Sequence, residues 1–599
     1  MPYLTVKEFV SNDIGMKNYF GEKVALYYLW LGWYTFLLVP AVVVGVIIVL
    51  YGLAFFKTSP LIQEVCASPV IMCPRCDKEC NVTKLNETCS YAKVSQLFDN
   101  EGTVAFAMFM AIWATLFLEL WKRHRAKYVS RWKVSVWNDE EEELIMEIVN
   151  DPECKPKEFR HSYLRALVLA LATLVLIVII GLTHALVVSR LVVRVFLSEQ
   201  DHWGLLKKHA DSAAVMLGAI LHYITMQVMT RVRVHDLCGD WLGWLLFAEN
   251  FTVKMFTFQF FTLFSSLIYI AFFLGRINGH PGNYVRLAGK WRLQEMAVIL
   301  LLKQTLNNIF EFTIPWFQRC FRQTKAKKLQ RSCGNCYRKA CRRKDGKVEP
   351  CDTCKIRDWM QNYHLNDVNA FSLFNEYLEM VMQFSFTTIF VAVFPLAPLL
   401  ALINNLFEIR LDAMKMVSLE RRLVPKKTNN IGVWTKVLDA IGVLAVIANG
   451  LVIGISSDFI PRLVYRYHYG PCANGTATSM TLSSHLICKD FTPQQMMFDD
   501  GHGIVNATQC SYKDYRSNED YALTSQYWYI LAIRFAFVIL FEHVVVLCKF
   551  IAAWFIPNSP MRVKKRRLQD TFNRLKEELK LVHTQSRVHT QIEKDQMSA

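Results

Sequence analysis

Ten runs of mostly apolar residues recur along this chain of 599 residues, near 27–55, 103–121, 164–188, 211–231, 253–275, 294–318, 371–393, 396–414, 436–458 and 526–556. Most are long enough to cross a bilayer, and inside lipid a helix lets such a run satisfy its own backbone. The runs predict an all-α, multi-span membrane protein of ten transmembrane helices. The run at 211–231 is the least apolar, and the one at 396–414 is short and opens on Pro395 and Pro398. With 53% hydrophobic residues and a mean hydropathy of +0.20, the chain is too apolar for an ordinary soluble enzyme. The first run is too long for the core of a cleaved signal peptide and lacks a convincing cleavage site. The sequence shows no nucleotide loop, nucleophile motif or internal repeat, so no enzyme is expected.

The spans divide the chain into a short cytosolic N-terminal segment (1–22), a transmembrane domain (23–556) and a basic cytosolic C-terminal helix (557–599). Orientation rests on two kinds of marker. The loop at 56–102 carries the sequons at Asn81 and Asn86, and the loop at 459–525 those at Asn474 and Asn506, which belong outside. The loop at 319–370 carries eleven Lys and Arg between Arg322 and Lys347, which belong inside. The net charge of +17 therefore reads as basic cytosolic loops, not as nucleic-acid binding. Cysteines follow the same division. Cys66, Cys73, Cys76, Cys80 and Cys89 lie in the first outer loop, and Cys472, Cys488 and Cys510 in the other. Both counts are odd, so pairing all eight needs at least one disulfide between the loops. The alternative is one free cysteine in each.

Three of the runs carry acids grouped with each other or with amides at helical spacing. Asn307, Asn308 and Glu311 lie in LLKQTLNNIFEFTIP, Glu376 and Glu379 in NEYLEMVMQF, and Glu408 and Asp412 in NNLFEIRLDAM. Spacings of three and four put each set on one helix face. The sixth span runs inward, the seventh outward and the eighth inward, so all three sets fall near the cytosolic boundary at one depth. Five carboxylates gathered in a poorly hydrated site must take up protons or share a cation. Oxygen ligands of this kind favour calcium over zinc or copper, and five charges with two amide oxygens suit two ions. The plain alternative is that the acids reach the interface or pair with nearby bases, Arg410 and Lys415 being the candidates.

At this point the residues resemble a known family. NNIFE, EYLEM and PLAPLLALINNLFEIRLDA, followed by SDFIPRLVY and CSYKDYR, are similar to the anoctamins, a family of calcium-activated chloride channels and lipid scramblases. The resemblance runs from YFGEKVALYYLWLGWYT to the tenth span. It implies an anoctamin-like fold and a homodimer with a membrane-exposed groove in each subunit, bordered by helices three to seven. It also implies two calcium ions per subunit, bound from the cytosol by Asn307, Glu311, Glu376, Glu379, Glu408 and Asp412. Two departures stand out. Family members carry a large cytosolic domain before the first span, for which residues 1–22 leave no room. The sixth helix of some relatives has a glycine hinge, and 294–314 contains no glycine.

A chloride path needs positive potential along the groove. Chloride-conducting relatives place lysines on the fifth helix, whereas 259–274 here contains neither Lys nor Arg. Gln259, Thr262, Ser265 and Ser266, with Lys303 of the sixth run, are the assigned groove-lining residues, suited to passing lipid headgroups. Small polar residues serve equally well to pack helices together. The leading expectation is a calcium-activated scramblase acting on membrane phospholipids. The alternatives are a calcium-activated ion channel, chloride-conducting or poorly selective, and a non-transporting subunit that regulates other anoctamins as a heterodimer. The plasma membrane is the expected location, with the endoplasmic reticulum as the alternative.

Two further features stand apart from the spans. Cys333, Cys336, Cys351 and Cys354 form paired CxxC knuckles in the cytosolic loop, a pattern suited to zinc, with reduced thiols in a basic loop as the alternative. After the tenth span, Arg562, Lys564, Lys565, Arg566 and Arg567 form a basic cluster for anionic lipid. Leu568, Phe572, Leu575 and Leu579 then repeat at heptad-like spacing, suited to the membrane surface or a partner subunit.

Overall fold

The structure is a computed structural model. It describes residues 13–55, 60–72, 83–90, 92–93, 100–134, 248–268, 372–464, 522–557 and 559–597, with short pieces and single residues between them. The predicted runs at 164–188, 211–231 and 294–318 lie almost wholly outside these residues, as does the stretch 135–163 before the third run.

Besides two short helices, Pro60–Ala67 and Phe459–Val464, the described helices are α1 (Asp13–Phe20), α2 (Glu22–Ala54), α3 (Glu101–Arg131), α4 (Ala248–Ile268), α5 (Ser372–Ile389), α6 (Ala397–Met414), α7 (Trp434–Leu451), α8 (Ser525–Phe555) and α9 (Met561–Met597). Six of the ten predicted runs thus appear as helices, α3 continuing ten residues past its expected end at 121, and α4 covers most of a seventh. Among the described residues, four helices are long and apolar enough to cross a membrane: Glu22–Ala54, Glu101–Arg131, Trp434–Ser456 and Ser525–Phe555. The last turn of that third helix, Val452–Ser456, is π-helical. The helices α5 and α6 fall outside this set, and they are the ones that carry Glu376, Glu379, Glu408 and Asp412.

Local chemistry sets the helix ends. Gly21, at φ 86°, turns the chain between α1 and α2, and a side chain there would run into Pro425. Asn100 caps α3 by accepting from the Thr103 backbone N–H, and its amide donates to the Ile48 carbonyl of α2 at 3.3 Å. Pro398 lies in the first turn of α6, where its missing N–H leaves no bond unmade.

Side-chain pairs fix the helix directions. Trp113 of α3 donates to the Leu37 carbonyl of α2, and Gly442 of α7 lies against Leu118, so α3 runs opposite to both. Tyr27 packs on Tyr377 and Tyr34 on Phe384, so α2 and α5 run together. Gln383 of α5 donates to the Ala401 carbonyl, making α5 and α6 an antiparallel hairpin. Asn449 of α7 donates to the Thr388 carbonyl of α5. Gly450 and Gly454 let α8 approach α7 closely at Phe541 and Val538. One end of the bundle therefore gathers the starts of α2, α5 and α7 and the ends of α3 and α6. The core is strongly aromatic there, with Trp30, Tyr34, Phe117 and Phe384 mutually packed.

The far end departs from a purely helical expectation. Ile71–Met72 pairs antiparallel with Thr83–Lys84 and parallel with Gln509–Lys513, which pairs antiparallel with Phe491–Gln495. A four-stranded sheet thus ties the loops at 56–102 and 459–525 together. Cys66 and Cys89 form a disulfide that closes the first loop on itself. Asn86 is exposed, while Asn81, Asn474 and Asn506 lie outside the described residues.

Candidate functional site

The helix α6 is inside out. It buries Asn405, Glu408 and Asp412 along one stripe with Ala397 and Ala401, and exposes Ile403, Leu406 and Phe407. A water-soluble helix does the reverse. Apolar exposure with buried acids is the pattern of a helix facing lipid on one side and a polar site on the other. The helix α5 mirrors it. Glu376 is 2% exposed, Glu379 is half-buried, and Gln383 continues the stripe one turn further.

The antiparallel hairpin brings the start of α5 to the end of α6. Lys415, the residue after α6, donates from Nζ to Glu376 Oε1 at 2.6 Å. Tyr27 of α2 donates its hydroxyl to Asp412 Oδ2, also at 2.6 Å. The neighbouring Tyr28 hydroxyl points to the Met416 sulfur at 3.6 Å and lies within electrostatic range of Glu376, Glu408 and Asp412. Tyr27, Trp30, Tyr377 and Trp434 wall the site with packed rings, which keeps the local dielectric low. The acids of the seventh and eighth runs are therefore at one level, as the alternating topology requires. Arg410 is exposed, whereas Lys415 pairs with Glu376, so one of the two bases considered from the sequence does reach an acid.

The donor set fits a hard cation. Glu376, Glu408 and Asp412 are each 2% exposed. Just deeper in the bundle, both polar atoms of the fully buried Asn405 side chain, and Gln383 Oε1, have no hydrogen-bond partner among the described residues. Buried amide oxygens of this kind are costly unless they meet a donor or a cation. Among the described residues, no three carboxylate, thiol or imidazole groups stand close enough to hold a metal ion as they are. Asn307, Asn308 and Glu311 lie outside the described residues, as do Lys303 and the four CxxC cysteines Cys333, Cys336, Cys351 and Cys354. Between those cysteine pairs, Cys341–Arg342 and Val348–Glu349 form an antiparallel pairing.

The helix α4 buries Phe256, Phe260, Phe264 and Leu267, with Phe264 stacked on Phe390 beyond the end of α5. Gln259 is half-buried beside that face. Thr262, Ser265 and Ser266 lie on the same helix, and their side chains are outside the described residues.

A family model described as "Anoctamin: Calcium-activated chloride channel" matches residues 16–570. The chain belongs to the anoctamin family. It is 47% identical over 593 residues to Anoctamin-9 of Mus musculus, covering 94% of this chain and 76% of that protein. Identity to Anoctamin-3 of Homo sapiens is 40% over 594 residues, covering 92% of this chain and 57% of the relative. Anoctamin-5 of Homo sapiens is 34% identical over 646 residues, with 97% and 67% covered. The chain thus spans three quarters of the first relative and less than two thirds of the second. The anoctamin assignment places the buried acids in a membrane protein whose family is calcium-activated, and one contribution to their surroundings went unnoticed in the sequence. Tyr27 carries no motif and stands in the first span. Its signal was limited to a pair of tyrosines in an otherwise aliphatic and aromatic run.

Proposed function

We propose that this anoctamin is a calcium-activated phospholipid scramblase, gated from the cytosol through Asn307, Glu311, Glu376, Glu379, Glu408 and Asp412. The observation that carries the reading is the burial of Glu376, Glu408 and Asp412 at one level of a bundle whose outer faces are apolar. Calcium, when bound, supplies the positive charge that lets these carboxylates remain ionised together. The chain's own groups do the rest. Tyr27 orients Asp412 by its hydroxyl, and the surrounding rings exclude water. The alternating span directions read from the sequence assign Asn307 and Glu311 of the sixth run to the same depth, and a cation shared by that run with α5 and α6 would couple the three. Gating of this kind needs a cation that binds one arrangement more tightly than the other. Two ions per subunit follow from the charge count.

Scrambling is favoured over chloride conduction by the composition of the fifth span, which from Met255 to Ile268 is uncharged. A neutral polar stripe suits headgroups that pass with their tails in lipid. The family description favours a channel, and that is the second reading. The resemblance supports a homodimer in the plasma membrane as the working unit. Dithionite quenching of labelled lipid in proteoliposomes, with currents recorded in parallel, tests both readings. Calcium-dependent excess quenching supports scrambling. Currents without quenching support the channel, and calcium binding with neither supports a regulatory subunit. Zinc at the paired CxxC cysteines is a separate proposal, answered by metal analysis of the purified chain.

A further inference from the structure

The helix α6 delivers two kinds of charge to one place. Glu408 and Asp412 lie on its buried stripe, and Lys415 follows at three and seven residues' spacing, on the same face. Lys415 does not turn back to the acids of its own helix for its closest contact. It crosses to Glu376 of α5 at 2.6 Å, with its side chain 12% exposed and that of Glu376 2%. A cation already stands against a carboxylate proposed to bind calcium.

We propose that Lys415 is a tethered cation that holds the carboxylate site in its resting state and sets the calcium level needed to displace it. This rests on the reading above, that the site takes calcium. Three physical points support it. A lysine ammonium is a compact charge on a flexible stem, able to occupy a cation site and to leave it. An ion pair withdrawn from water is close to break-even in free energy, so it can yield to a cation that engages more carboxylates. A divalent ion reached by oxygens from both α5 and α6 does so, and an ammonium left at 2.6 Å from a shared carboxylate would oppose it.

The backbone gives the lysine somewhere to go. Lys415 begins a π-helical turn, Lys415–Leu419, closed by the Glu420 N–H on the Lys415 carbonyl at 3.0 Å. Such turns mark points where a helix changes register. Val417 and Ser418, just beyond, are exposed, so the stem can carry the ammonium toward the bundle end. That turn is also tied to the approach to α5, because the Asn366 N–H donates to the Leu419 carbonyl and the Arg421 N–H to the Asn366 carbonyl. Release of Lys415 is therefore felt at both helices that carry acids.

The test uses the purified full chain in nanodiscs, with calcium binding followed by calorimetry for the wild type, Lys415→Met and Lys415→Arg. The expected result is affinity raised roughly tenfold in Lys415→Met, the factor by which a competing state filling about nine-tenths of the population weakens apparent binding. Lys415→Arg, which keeps the charge, should stay near the wild type. In parallel, the Lys415 amine of the wild type is labelled with an amine-reactive reagent and quantified by mass spectrometry, with calcium and with chelator. Labelling should rise with calcium. Equal labelling in both conditions, or unchanged affinity in Lys415→Met, overturns the inference while leaving the calcium reading intact. A wild type that binds no calcium overturns both.

Discussion

Tyr27 and Asp412 are 385 positions apart in the chain and share a hydrogen bond of 2.6 Å. The first span therefore contributes directly to the acid site, through a hydroxyl that donates to a buried carboxylate. Tyr27→Phe keeps the ring contacts with Tyr28 and Tyr377 and removes only that donor. A hydrogen bond to a charged group contributes about 1.5–3 kcal/mol, so the variant should melt at lower temperature in chelator. In saturating calcium the difference from the wild type should shrink, because the cation then holds Asp412. Thermal unfolding in the two buffers measures both effects, and an equal deficit in each would count against the arrangement.

Glu376 faces Lys415 in the resting arrangement and is a proposed calcium ligand in the other. Glu376→Gln removes one of the few charges opposing the cation and should move the calcium dose-response to higher concentration by roughly tenfold or more, since ligand charge sets the affinity of oxygen sites. Calcium-dependent lipid quenching reports it. A response that overlays the wild type would remove Glu376 from the ligand set.

Gly45 of α2 lies where a Cβ would collide with the Pro395 carbonyl oxygen and press on the Phe106 ring. Gly45→Ala should therefore push the first span away from the turn between α5 and α6, at about 1–3 kcal/mol, the usual range for overpacking. Gly32, on the same helix, has nothing within 4 Å of such a Cβ. Gly32→Ala should be neutral or stabilising by up to about 1 kcal/mol, through helix propensity. Melting of the two variants side by side isolates the steric effect.

Asn449 ties α7 to α5, donating to the Thr388 carbonyl at 2.7 Å and to its own helix at Ala445. It is fully buried. Asn449→Ala leaves a cavity and strips a donor from a buried carbonyl, a loss of about 1–3 kcal/mol. Its calcium affinity should stay near that of the wild type, since the residue stands apart from the acids, and calorimetry checks this.

With Cys66 and Cys89 paired, each outer loop retains three cysteines: Cys73, Cys76 and Cys80 in one, Cys472, Cys488 and Cys510 in the other. Met72 is in register with Ser511, so the strand that holds Cys510 lies beside a strand of the first loop. Non-reducing peptide mapping should find at least one disulfide joining the two loops. Recovery of every cysteine peptide within its own loop would rule out the staple.

Much of this was legible in the sequence because bilayer thickness and helix geometry are local rules. Run length gave the described bundle helices, and a spacing of four put Glu408 and Asp412 on the face that is buried, whereas Asn405 on the same stripe was not singled out. The sheet joining the outer loops was not legible, because strands as short as Ile71–Met72 carry no periodicity to read. Nor was the choice between Arg410 and Lys415, since both lie close to acids in the chain.

By itself the sequence determined which segments are apolar and which faces of them carry acids, because both follow from composition and the pitch of a single helix. The tertiary structure alone decided which groups meet the acids. A phenol from the first span reaches Asp412, and the lysine after α6 crosses to Glu376 on α5. Those choices depend on the direction and rotation of helices packed side by side, which no local pattern encodes.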